Sequence, residues 1–198
     1  MEEKFSIFVE GDEDSWFLQG YLDFLGQPFS NVCVKSIDGW GNLAGRTQEM
    51  AENLDKGISV LIIFDANANS HKRRGEIKKI LNAGIQDGKD LPLFLFPDDQ
   101  SNGAVEDLLG QIIIPEHEGI FTCFENYRRC LKEKNSEYIL PGMKGKMYSY
   151  KEALGVIQEM QKGRSKKEEG PKQYTPDYWD FDNPALEPLK AFLMANIE

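Results

Sequence analysis

Two short acidic turns carry the residue types best suited to chemistry in this sequence. Glu10-Gly11-Asp12, with Asp14 just beyond, directly follows the apolar run Phe5 to Val9. Asp65-Ala66-Asn67 directly follows the apolar run Val60 to Phe64. Carboxylates so placed could converge on a hard divalent cation, Mg²⁺ or Mn²⁺, which takes oxygen ligands and keeps several of its waters. Such an ion polarises a phosphoryl oxygen and acidifies bound water, while a neighbouring acid moves the proton. Asp65 and Asn67 are the candidates for the metal, with Glu10 the acid at the other turn. Asn67 can ligate through its carbonyl oxygen but brings no charge, so Glu106 or Asp107 has to supply it. Gly11, Asp12, Asp14 and Gly39 would complete the surroundings, and Lys72, Arg73 and Arg74 begin close enough to Asp65 to meet a phosphate.

These residues must be positioned by the elements they punctuate. Phe5 to Val9 reads as a buried strand, and Asp12 can cap the helix that follows, whose Trp16, Phe17, Tyr21, Leu22 and Leu25 recur at helical spacing up to Gly26. Asn31 to Ile37 reads as a second strand and Leu43 to Leu54 as a helix, with Gly39 in the loop between. Ser59 to Phe64 is almost wholly aliphatic, which suits a central parallel strand covered on both faces. Ser70 can cap a helix to about Ala83, Pro92 to Phe96 gives a fourth strand, and Ala104 to Leu109 a short helix. Strands alternating with helices imply a mainly parallel sheet flanked by helices, with acids at the strand C-termini, where open α/β sheets bind ligands.

This α/β pattern fills residues 1–115. A mostly helical extension packed on it is expected over 116–198, with helices at Phe121 to Lys132, at Tyr148 to Gln161 and beyond Asn183-Pro184, and a mobile polar loop near 162–172. The longest apolar run is far too short to cross a bilayer, and Met1-Glu2-Glu3-Lys4 does not read as a secretory leader, so a cytoplasmic location is expected. Cys33, Cys123 and Cys130 are odd in number and lack metal-ligand spacing, which suits reduced thiols. A net charge of −10 argues against a general nucleic-acid coat. Local basic patches remain for DNA or RNA: Lys72-Arg73-Arg74 with Lys78 and Lys79; Lys144, Lys146 and Lys151 interleaved with Tyr148 and Tyr150; and Arg164 to Lys167. Each is also what a solvated face looks like.

At this point the sequence resembles a known family. Ile7-Phe8-Val9-Glu10-Gly11 with Asp14 is similar to the opening motif of Toprim domains, and Ile62-Ile63-Phe64-Asp65-Ala66-Asn67 to their Asp-x-Asp motif with the second aspartate replaced. Asp38-Gly39-Trp40-Gly41-Asn42-Leu43 is similar to the glycine-bearing segment between these motifs in OLD-type nucleases. Asn102 to Leu109 resembles a segment of small stand-alone Toprim-like proteins of bacteria and archaea. The resemblance covers about residues 4–115. It implies a Rossmann-like Toprim domain and Mg²⁺-dependent phosphodiester chemistry, with Glu10 as general acid or base and the aspartates on the metal. Because Asn67 departs from the pattern, two further readings stay open. One is a module that binds nucleic acid or nucleotide without cleaving it. The other is a protein-interaction component of a defence or repair system.

Other patterns fit less well. Asp65, Asn67, Asn69 and Glu76 match ligand positions of a calcium loop, but Ser70 stands where its sharp turn needs glycine and a strand precedes where a helix should. A haloacid-dehalogenase arrangement needs a nucleophilic aspartate in an Asp-x-Asp after the first strand, then Thr; a receiver domain needs a lysine after a fifth strand. His71 and His117 are far apart, and Trp16, Trp40 and Trp179 read as packing residues. Oligomeric state is not encoded in any of these signals.

Overall fold

The computed structural model describes residues 3–85, 90–157 and 170–197. Four strands, β1 (Phe5–Val9), β2 (Val32–Ser36), β3 (Ser59–Asp65) and β4 (Leu93–Phe96), form one sheet in the order β2-β1-β3-β4. Every pairing is parallel, with Val9 beside Ser36 on one side and Ile63 on the other, and Asp65 beside Phe96. The expected α/β class with a parallel four-stranded sheet is therefore what the chain adopts.

Parallel strands need crossover connections, and helices supply them on both faces. The helices are α1 (Asp12–Leu25), α2 (Leu43–Asp55), α3 (Ser70–Gly84), α4 (Val105–Leu109), α5 (Glu118–Lys134), α6 (Met143–Ala153) and α7 (Glu187–Asn196). The two-residue period of a strand sends alternate side chains to opposite layers. Ile7, Val9, Leu61, Ile63, Phe94 and Phe96 join Phe17, Leu18 and Tyr21 of α1 in one core. Phe8, Val60, Ile62, Phe64 and Leu95 join Met50 of α2 and Ile77 and Leu81 of α3 in the other. Both faces of β3 are thus buried, which explains its uninterrupted aliphatic run.

The extension lies on the α1 face. Met147 and Tyr150 of α6, Trp179, Phe181, and Leu189 and Leu193 of α7 belong to the same core as β1 and α1. Tyr150 donates its hydroxyl to the Tyr178 carbonyl at 2.7 Å, and Trp179 donates its indole N–H to the Gln173 carbonyl at 2.7 Å. Buried aromatic donors are satisfied by backbone, so this stretch packs as core rather than as a loose appendage.

Three details differ from expectation. Helix α6 spans Met143–Ala153, beginning five residues before the expected Tyr148 because packing against α4 and α5 holds a start that Gly145 disfavours; of the expected stretch to Gln161, residues 158–161 lie outside the described residues. Helix α3 is capped by Asn69, whose side chain accepts from Lys72 N–H at 2.8 Å, while Ser70 N–H donates to Asn102 Oδ1. Helix α1 is closed from inside by Asp14 rather than capped by Asp12. Of the loop expected near 162–172, residues 162–169 lie outside the described residues, as does the patch Arg164 to Lys167; Pro171–Gln173 is a turn of 3₁₀ helix. No helix among the described residues is long and apolar enough to cross a membrane.

Candidate functional site

Strand order fixes where the acids meet. The connection out of β1 leads to β2 on one side, and the next strand, β3, lies on the other side of β1. The sheet's topological switch point therefore falls between β1 and β3, where open α/β sheets present a crevice. Glu10 leaves the end of β1 and Asp65 ends β3, so the two acidic turns flank that crevice. A cavity of about 570 Å³ opens there, lined among others by Glu10, Gly11, Asp12, Asp14, Asp65 and Glu106.

Each acid is placed by a definite local device. Asp14 Oδ2 accepts from Gly11 N–H at 2.7 Å, reaching back from the third helical position to tie off the start of α1. Asp107 does the same for α4, accepting from Ala104 N–H at 2.8 Å. Asp65 Oδ1 accepts from Val105 N–H, the first helical amide of α4, at 2.9 Å. That bond brings Glu106 to the cavity beside Asp65. Glu106 in turn faces Lys144 of α6, with Nζ 3.5 Å from Oε1.

The electrostatics follow from this crowding. Burial, then the negative charge of Asp65, with Glu106 and Glu10 adding to it, raise Asp14 well above the usual carboxylate range against the pull of its Gly11 hydrogen bond. Burial likewise lifts Asp65 to about 7, opposed by the Val105 hydrogen bond and reinforced by Glu10 and Glu106. Lys144 is pushed upward, chiefly by Glu106. Several carboxylates that cannot all ionise cheaply in one cavity are a common mark of a functional site.

Not every expected site residue is in the cavity. Asn67 and Asp107 are not among its lining residues. Asn67 is exposed, has φ 55°, and bridges backbone to backbone with Gly103 at 2.6 and 2.9 Å. That left-handed conformation is one Asn tolerates better than most residues. Gly103 has φ +142°, and a Cβ there would stand 2.7 Å from Asp107 Oδ2, so this turn needs glycine. Gly39 and Asp38 line the cavity's rim. Lys72 is exposed and 3.8 Å from Glu76, Arg74 pairs with Asp99, and Arg73 pairs with Glu10, so all three have protein partners. Among the described residues, no three His, Cys, Asp or Glu side chains stand ready to hold a metal ion.

The sequence did not reveal the opposite wall. Glu13 of α1 accepts from Lys151 Nζ at 2.8 Å through both oxygens, and from the Tyr174 hydroxyl. Lys151 and Tyr174 are buried, and both line the cavity with Tyr148 and Met147. The patch Lys144-Lys146-Lys151 is thereby divided among three jobs. Lys144 faces the acids, Lys151 binds Glu13, and Lys146 pairs with Glu125 at 3.0 Å.

One solved structure shares this architecture. The C-terminal region of the Burkholderia pseudomallei OLD protein is similar in fold, with a TM-score of 0.52 and 13% identity over 98% of this chain and 99% of that one. The C-terminal region of the Xanthomonas campestris pv. campestris OLD protein aligns at a TM-score of 0.33 and 15% identity, over 96% of this chain and 78% of that one. No curated protein matches the sequence. The sequence does match, over residues 4–197 and so through the extension as well as the α/β part, the family described as "Protein of unknown function (DUF3226)", and the chain belongs to it.

Proposed function

We propose that the cavity between β1 and β3 is a site for a divalent cation of the Mg²⁺ or Mn²⁺ kind, and that the chain acts there on nucleic-acid phosphodiesters by hydrolysis or a related phosphoryl transfer. One observation carries the reading: Glu10, Asp14, Asp65 and Glu106, from the ends of β1 and β3 and the starts of α1 and α4, line one cavity. The resemblance of the Glu10 and Asp65 turns to Toprim motifs of the OLD type supports it.

The donor set suits a hard cation, being entirely carboxylate oxygen. Asp65 and Glu106 would hold the ion, since Mg²⁺ takes one or two carboxylates and keeps waters for the rest; Asn67 and Asp107, the other expected ligands, are not among the lining residues. A bound cation would favour the ionised form of Asp14 and Asp65, which burial, together with the neighbouring carboxylates, disfavours. The ion would supply Lewis acidity toward a phosphoryl oxygen and a more acidic water. Glu10 is the residue for proton transfer, held by Arg73 at 2.7 Å. Lys144, exposed at the cavity edge, can leave Glu106 for an incoming phosphate. Met147, Leu109 and Val105 give the cavity an apolar side that limits water.

Melting the protein at pH 7.5 with and without millimolar Mn²⁺ or Mg²⁺ tests the site. The midpoint should rise for the native chain and stay put for Asp65→Asn; an unmoved native midpoint sinks the proposal. Incubating DNA or RNA strands with the cation should then give products that Glu10→Gln abolishes. The Glu10–Arg73 ion pair favours a second reading, in which the cavity binds nucleic acid without cleaving it. Binding without product, in the same assay, would select that reading.

A further inference from the structure

Helix α6 presents an unusual pair to the cavity. Lys144 and Tyr148 lie four residues apart, hence on one helix face one turn from each other. Both line the cavity. The Lys144 side chain is 84% exposed, and Tyr148 is 51% exposed. Tyr150, two residues on, is by contrast fully buried, with its hydroxyl spent on Tyr178. One tyrosine of the two is therefore structural, and the other leaves half its surface in solvent beside the acids.

A cation and an aromatic face one helical turn apart match the reach of a nucleotide from phosphate, across sugar, to base. The volume agrees: about 570 Å³ falls within the roughly 300–1,000 Å³ of small-ligand sites and has no room for a duplex. A phosphodiester drawn into such a cavity has to come from an unpaired strand or be flipped out of a stack. The charge agrees too. Among the described residues two cations line the cavity, and since Lys151 is buried against Glu13, Lys144 is the one of them exposed to a strand. With so few phosphate contacts on an acidic protein, affinity has to come from stacking and from the bound cation rather than from counterion release.

We infer that the cavity selects a single unpaired nucleotide of a nucleic-acid strand, with its base against the Tyr148 ring and its phosphate between Lys144 and the acid-bound cation. Tyr148 is then the residue that distinguishes unpaired from duplex substrate. This rests on the cation-site reading above and adds the class of substrate to it.

Binding of a fluorescent single strand containing 2-aminopurine, and of a blunt hairpin duplex of the same composition, should be measured with Ca²⁺ present. The native chain should favour the single strand by about 10-fold, with a shallow salt dependence of roughly one phosphate contact. Tyr148→Ala should erase that preference, losing about 10-fold on the strand and little on the duplex, and Tyr148→Phe should keep it. Equal binding of strand and duplex by the native chain, absence of binding to either, or a Tyr148→Ala variant indistinguishable from native, overturns the inference. A free mononucleotide that competes as well as the strand overturns it in favour of a small-molecule ligand. Melting of the same samples with cation and no nucleic acid separates the two proposals. A midpoint that rises while strand preference is missing defeats only the nucleotide inference; a midpoint that does not move defeats the cation site beneath it.

Discussion

Arg73 donates through Nη2 to Glu10 Oε2 at 2.7 Å while its guanidinium carbon lies 3.7 Å from the centre of the Trp40 ring. The same side chain donates through Nε to the Asp65 carbonyl at 3.2 Å. One residue of α3 therefore braces the ends of both central strands against the loop after β2. The acid at the end of β1 is held in place by a cation from the crossover that follows β3.

Removing this brace should loosen the site more than the sheet. Arg73→Ala breaks a charge-assisted hydrogen bond and a cation–aromatic contact, each mostly out of solvent, and should cost about 2 kcal/mol in urea unfolding. Arg73→Lys should recover little of it, since an ammonium cannot serve Glu10, the Asp65 carbonyl and the Trp40 face together. Loss of less than about 0.5 kcal/mol in Arg73→Ala, the range of an ordinary surface change, would show that the brace is incidental.

The ion pair on the far wall should respond asymmetrically. Lys151 is buried, whereas the Glu13 side chain is 48% exposed. Glu13→Ala strands a buried ammonium and should cost about 3 kcal/mol. Lys151→Met leaves only a carboxylate that water can reach, and should cost about 1 kcal/mol. Equal losses in equilibrium unfolding would contradict the burial argument.

Stability should fall with rising pH in the absence of divalent ions. Asp65 is raised in the fold from 3.8 to about 7, so the native chain binds that proton more tightly than the unfolded chain. The contribution is fully present below about pH 4, is lost as pH rises toward about 7, and is constant above that. Asp14 shifts the same way and adds to the trend. Asp65→Asn should flatten the melting profile over this window and, at pH 8 without cation, melt roughly 3 °C above the native chain, as about 1 kcal/mol does in a domain of this size. A variant whose profile parallels the native one would remove Asp65 as the source.

Close approach of α1 to the extension gives a steric test. A Cβ at Gly20 would stand 2.2 Å from the Tyr174 carbonyl oxygen and 2.8 Å from its Cβ. Gly20→Ala must push Tyr174 away from Glu13, at a cost of about 3 kcal/mol. Faster proteolytic cleavage near residue 175 than near the sheet should accompany it; unchanged melting and cleavage would mean that the contact yields freely.

The sheet was legible because its signals are local. Ser59 to Phe64 is buried on both faces and so has no polar period to hide it, and the acids that end β1 and β3 abut those runs directly. Asp14 was legible as part of a motif, though its reach back to Gly11 is a capping pattern readable from spacing alone: an acid at the third helical position, as Asp107 is for α4. Asn67 could be seen to replace an aspartate, but not to occupy a left-handed turn outside the cavity lining, because that turn is held by its bridge to Gly103. Glu13, Lys151 and Tyr174 gave no sequence signal as a group. Buried pairs between residues so far apart depend on packing that periodicity does not encode, and the early start of α6 was masked by its glycine for the same reason.

The Lys151–Glu13 and Tyr174–Glu13 bonds span 138 and 161 residues of chain. Contacts of such separation carry the largest loop-closure cost and slow the steps that form them. On the ribosome, at roughly 5–20 residues per second, the acidic turns would be exposed for many seconds before the wall facing them has been synthesised. The sheet can pair early, whereas the cavity is complete only once the chain through Tyr174 has been made and has packed against α1.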